Sequence, residues 1–160
     1  VYNKNIIIDV VSPETDYIIK IKNDIMKLGI NGHFVFHGAK SQHQINSYIN
    51  RSDMGVSCLD WNKVKVKYSS NIKSRFYMAK GLPYLYDTTD RLVEHDFPYA
   101  LKINNIYPSI PASFIIEFSD TIRKNTSHVE IMNDYAHNSL SWNDSMKDLF
   151  PYIDNCLINK

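Results

Sequence analysis

An α/β domain is what this sequence predicts, with a Rossmann-like, three-layer α/β/α build around a mostly parallel sheet. Short apolar runs rich in β-branched residues end at Ser-Pro or Gly, and stripes of apolar residues at three- and four-residue spacing lie between them. Strands that alternate with helices imply parallel pairing, because each right-handed crossover lays its helix on a face of the sheet. With 160 residues, 44% hydrophobic and 22% charged, the chain is long enough for one domain over 1–160 with its own core.

The first strand is residues 6–11, IIIDVV, an apolar run closed by Ser12 and Pro13, as a buried parallel strand reads. From Glu14 to Leu28, the residues Ile18, Ile21, Ile25 and Leu28 form one helical stripe that Gly29 stops. A second strand, HFVFHG, covers 33–38. Ser41 caps a short helix carrying Ile45, Tyr48 and Ile49, and 54–59, MGVSCL, make the third strand. A polar loop leads to a helix over 69–83, ended by Gly81 and Pro83, from which Tyr84 to Tyr86 leave as strand four. Ala100 to Ile103 make a weak fifth strand. Helices follow at 111–124, 128–138 and 143–157, with Pro151 expected to kink or split the last and Trp142, Met146, Leu149 and Ile153 forming its core face.

Composition narrows the function classes. Lys plus Arg at 18 against Asp plus Glu at 17 leaves a net charge of +1, which gives no global attraction to nucleic acid or a membrane surface. No apolar run approaches the roughly 18 residues that a membrane-spanning helix needs. Cys58 and Cys156 match no metal-ligand or redox spacing and read as reduced, packed residues, which fits the cytoplasm, including a peripheral place on the inner face of a membrane. A start at Val1 suggests a fragment. His33, His37 and His43 have no zinc-ligand spacing, so no metal is expected.

The helix over 69–83 carries the chemistry. Ser69, Ser70 and Asn71 are capping residues, and a helix start also attracts anions through its dipole and unpaired N–H groups. Phosphate is the natural ligand there. A plain capped surface helix would leave the same signature, and Lys73 and Arg75 would equally make a solvated basic face. In open α/β sheets ligands bind beyond the carboxyl ends of the strands, which puts the loops after Val11, His37, Leu59 and Tyr86 on the rim of the candidate site.

Three segments together resemble the carboxyl-terminal half of GT-B glycosyltransferases, in the group 1 family of nucleotide-sugar-dependent enzymes. His33 to Gly38 with Ser41, Ile45 and Tyr48, then Asp53, Met54, Gly55 and Val56, resemble the family's strand, Gly-loop, short helix and "aDvgv" strand. Lys73, Tyr77, Met78, Ala79, Gly81, Leu82 and Pro83 are in register with its K-x-x-E-Y-M-A-x-G-L-P signature. Leu140, Ser141 and Trp142 resemble the "fSW" element, so the resemblance spans about residues 5–157. Phe76 and Tyr68 stand where many members have glutamates, and a phenyl ring cannot accept hydrogen bonds from a donor's ribose hydroxyls. The family's domain also opens with a further strand and helix that hold a diphosphate-clamping Arg and Lys, and this chain begins after them. Since that strand is central in the usual order, the sheet must close the gap, borrow a strand or pair differently.

The resemblance implies transfer of a sugar from a UDP- or GDP-sugar to the hydroxyl of a glycan or lipid-linked acceptor, as in polysaccharide or glycoconjugate biosynthesis. It implies no cofactor and no metal. Ser69, Ser70, Asn71, Ile72 and Lys73 would hold the donor diphosphate, and Gly38, Ala39, Lys40, Asp60 and Trp61 the base or sugar. Catalytic residues belong to the amino-terminal partner domain, so this part alone would be inactive. Gly38 also suits a tight turn, Trp61 suits burial, and Asp87 and Asp90 in DTTD suit a turn more than a sugar site. Two other readings stand beside the enzyme: a degenerate domain that keeps the fold as a scaffold or partner-binding module, and a flavodoxin-like or other nucleotide-binding module. The absence of a Gly-x-Gly-x-x-Gly or Walker loop weighs against the last.

Overall fold

A computed structural model describes residues 6–59, 68–90, 93, 96–103, 110–141, 146–147, 149–151 and 153–154. Along the described chain run β1 (Ile8–Val10), α1 (Asp16–Lys27), β2 (Phe34–Phe36), α2 (Gln42–Arg51), β3 (Gly55–Val56), α3 (Ile72–Ala79), β4 (Tyr84–Tyr86), β5 (Ala100–Lys102), α4 (Ala112–Arg123) and α5 (His128–Ser139). All strand pairs are parallel. They form two ladders, β1–β2 and β3–β4–β5, and among the described residues no strand pairing joins one to the other. Among the described residues the sheet does not close the gap expected at its centre, and the strands pair as two ladders. An α/β architecture of open parallel sheets with intervening helices is what the chain adopts.

Local chemistry accounts for most boundaries. The Ile18 N–H donates to Thr15 Oγ1 at the start of α1, and Gly29, at φ +68°, turns the chain after its end. Ile18 and Ile25 are buried, but Leu28, the cap residue at the end of the predicted stripe, is 71% exposed. A 3-10 turn at Asn31–His33 replaces the predicted opening of strand two. Ser41 builds a reciprocal cap on α2: its Oγ accepts from the Gln44 N–H, and its own N–H donates to Gln44 Oε1 at 3.0 Å. Ile153 N–H donates to Leu149 O at 3.1 Å, so the helical path continues across Pro151 there. Leu149 and Ile153 are 49% and 44% exposed, which corrects their assignment to the core; Trp142 lies outside the described residues.

The core lies over the carboxyl ladder. Met78, Tyr84, Tyr86, Phe97, Tyr99 and Met132 are buried in one cluster, flanked by Tyr77, Phe118 and Tyr135. Phe97 meets Tyr99 edge-on at 5.6 Å and Tyr135 at 4.5 Å, which are favourable aromatic geometries. α3 packs on α5 through a close approach at Gly81. That residue, at φ +65°, closes α3 in the left-handed conformation, and a Cβ added to it would lie 2.8 Å from the Val129 backbone. Asn133 Nδ2 donates to Ala79 O at 3.1 Å, satisfying a carbonyl at the end of α3. This packing fixes the direction in which α3 starts.

Candidate functional site

β3 is short because its residues turn at once to serve α3. Ser57 N–H still donates to Leu85 O at 2.9 Å, while Ser57 Oγ and Ser74 Oγ share a buried hydrogen bond of 2.7 Å that ties the strand end to the helix. Next along the chain, Cys58 Sγ accepts a hydrogen bond from Asn71 Nδ2. Asn71 is the cap of α3, its Oδ1 accepting from the Lys73 N–H at 2.9 Å. Both ends of one amide side chain are thereby used. Cys58 is a half-buried free thiol at the helix start, reduced as expected.

The segment before α3 lies beside the loop after β4. Ser69 N–H donates to Thr89 O at 3.0 Å, and Tyr68 forms a parallel bridge with Thr89. Asp87, Thr88 and Asp90 are buried in that loop, so DTTD is far more than a solvent turn. Arg75 Nη2 donates to Asp90 Oδ1 at 2.7 Å and to Ser70 Oγ at 2.9 Å, with side-chain exposures of 18% for the arginine and 5% for the aspartate. The expected solvated basic face is therefore split: Lys73 is exposed, whereas Arg75 anchors the loop. Lys102 Nζ reaches Thr89 Oγ1 at 3.0 Å from β5.

Electrostatics extend from this cluster into the core. Burial pushes the Tyr84 hydroxyl above the ordinary phenol range, and the Asp90 and Tyr86 charges add to the rise while Arg75 opposes it. Burial, then Asp90, raises Tyr86 as well. Tyr77 rises through burial first and Cys58 second; its ring covers Gly55, and its hydroxyl donates to Val56 O at 3.3 Å. These phenols stay neutral near pH 7.

Ser69, Ser70, Asn71, Ile72 and Lys73 are brought together at the carboxyl ends of β3 and β4. Ser70, Lys73 and Ile72 are exposed, the last at 83%, so the helix start opens to solvent. Gly38, Ala39 and Lys40 belong to the other ladder, in the loop after β2, where Gly38 at φ +70° makes the tight turn its alternative reading required. Asp60 and Trp61 lie outside the described residues. Just before that loop, His37 Nε2 is 2.5 Å from Asp9 Oδ1, Arg51 lies 3.5 Å from Asp9 Oδ2, and the Tyr48 ring contacts both the His37 and the Arg51 side chains. Among the described residues no group of three or more His, Cys, Asp or Glu is placed to hold a metal ion, and no helix is long and apolar enough to cross a membrane.

No protein-family model, curated protein or solved structure matches the chain. The site rests on its own geometry. Arg75, Asp90, Cys58 and the Ser57–Ser74 pair were not singled out as a unit, because their partners lie 13 to 17 residues apart and no periodic pattern connects a strand end to a helix turn. The acidic DTTD sequence was the one available signal for Asp90.

Proposed function

We propose that this domain binds the diphosphate of a nucleotide sugar at the start of α3, as the donor-binding, carboxyl-terminal half of a GT-B type glycosyltransferase with a three-layer α/β/α build. The observation that carries the reading is the solvent-open, Asn71-capped start of α3 at the carboxyl ends of β3 and β4, with Lys73 in its first turn. The chemistry asked of this half is charge stabilisation. As the bond from the sugar to the diphosphate breaks, negative charge grows on the leaving phosphate, and fixed amide dipoles with the Lys73 ammonium oppose it without reorganising. Ser70 would donate its hydroxyl to a phosphate oxygen while its Oγ accepts from Arg75. The acceptor hydroxyl and the groups that handle its proton belong to a partner domain, and productive geometry needs both halves closed on the reactants.

Calorimetric titration with UDP- and GDP-sugars tests this. Saturable binding is expected, and Lys73→Ala should weaken it by about tenfold to a hundredfold, the equivalent of about 1.5–3 kcal/mol for a charge-assisted hydrogen bond. Absence of saturation, or equal affinity in the variant, would overturn the assignment. A second reading is then favoured by a specific observation: Arg75 is already ion-paired with Asp90, and Phe76 and Tyr68 supply no carboxylate for ribose, as in a domain that keeps the fold as a scaffold.

A further inference from the structure

At the opposite end of the carboxyl ladder from the start of α3, a cavity of about 330 Å³ opens between the α2–β3 loop, the turn after α3, the end of α4 and the beginning of α5. Gly55 N–H donates to Pro83 O at 2.8 Å, marking the amino ends of β3 and β4 beside it. Its floor is apolar, with Ile49, Leu82 and Ile122 buried. Its rim is basic. Lys80, which follows α3, and Arg123, in the last turn of α4, line the opening, and Asp53, the single carboxylate among the lining residues, is ion-paired to Arg123.

We infer that this cavity binds a small organic anion, its hydrocarbon or ring body on Ile49, Leu82 and Ile122 and its carboxylate or phosphate between Lys80 and Arg123. Volume sets the class of ligand: 330 Å³ is at the lower end of ligand pockets and equals the liquid share of about ten waters, too little for a polymer segment. Charge sets the sign, since two cations face one carboxylate. The apolar floor sets the rest, because a bare inorganic ion gains nothing from it, whereas each apolar group removed from water there adds to affinity. Asp53 competes with the incoming anion for Arg123. The site is separate from the start of α3 and does not depend on nucleotide-sugar binding.

Amide chemical shifts of the full chain, followed during titration with phenyl phosphate and with benzoate, test the inference. Saturable shifts are expected at Leu82 and Ile122, with none at those amides from inorganic phosphate at the same concentrations. Lys80→Ala and Arg123→Gln should each weaken binding about tenfold, as loss of one charge-assisted contact does. Asp53→Asn should tighten it, a result that a purely structural ion pair would not produce. No saturable shift at Leu82 and Ile122, equal response to inorganic phosphate, or affinity unchanged across the three variants would each overturn the proposal.

Discussion

Tyr84, Leu85 and Tyr86 of β4 expose 1%, 3% and 5% of their surface, whereas Ile8 of β1 and Val35 of β2 expose 37% and 42%. Both ladders are parallel and both are apolar in sequence. What separates them is cover. β4 lies between β3 and β5 beneath side chains from α3, α4 and α5, including Met78, Ile122 and Met132, which share its core. Among the described residues the β1–β2 ladder has two strands, and a two-stranded sheet is marginal alone. Its helices bury Ile18, Ile25 and Ile49, and polar contacts add to them: His37 and Arg51 to Asp9, and the Lys22 ammonium over the Phe36 ring at 5.3 Å. Exposed ion pairs are each worth about 0–1 kcal/mol, so the larger buried side chains of the carboxyl region are expected to carry more of the stability.

The largest expected effect that would break this contrast comes from truncating one buried side chain in each region. Met78→Ala should cost about 2–5 kcal/mol, and Ile8→Ala less than about 1 kcal/mol because its side chain is partly in water already. Urea denaturation of both variants measures the difference, and equal costs would mean that the two ladders share one core.

Two glycines sharpen it at the next scale. Gly81→Ala forces an L-residue into the left-handed region and drives a Cβ into Val129, for an expected loss of about 2–4 kcal/mol. Gly29→Ala carries the same backbone strain with nothing within 4 Å of the added carbon, for about 1–2 kcal/mol. Thermal midpoints of the pair isolate the packing part, and an equal shift would show that α5 yields freely at Val129.

The smallest effect is a dependence on alkaline pH. A phenol whose folded pKa is raised contributes fully below its unfolded value of 10.0; above it the unfolded chain ionises while the folded one keeps its proton. Stability should therefore fall as pH climbs past 10.0, with Tyr84, Tyr86 and Tyr77 all acting in this direction. Tyr84→Phe should make the decline shallower, measured as the urea midpoint from neutral pH upward. An unchanged slope would place the alkaline loss outside the β4 core.

Elements with local causes were legible. Ser41 announced α2, Gly81 and Pro83 announced the end of α3, and the strand at Tyr84 to Tyr86 fell where expected, because caps, left-handed glycines and proline act within a turn of their own position. Strand lengths were less so: MGVSCL reads as six residues of strand and yields a two-residue β3, whose last backbone bond to β4 is from Ser57 N–H to Leu85 O, while the side chains of Ser57 and Cys58 bond to Ser74 and Asn71 of the α3 region. The capped start of α3 was visible in the sequence, but Arg75 was left between a phosphate ligand and a solvated face. Only its contact with Asp90, 15 residues away, distinguishes an anchor from a solvated cation.

From residue order alone follow the alternation of strands and helices, their parallel sense, the caps and stops, and the polar start of α3. These depend on neighbours within a few positions and on the handedness of crossovers. The division of the strands into two ladders, the burial of the tyrosines of β4, the pairing of Arg75 with Asp90 and the cavity above Ile122 were settled by tertiary structure. Each is a meeting of segments far apart in the chain, and which of many such meetings occurs depends on simultaneous packing and polar satisfaction that no local pattern encodes.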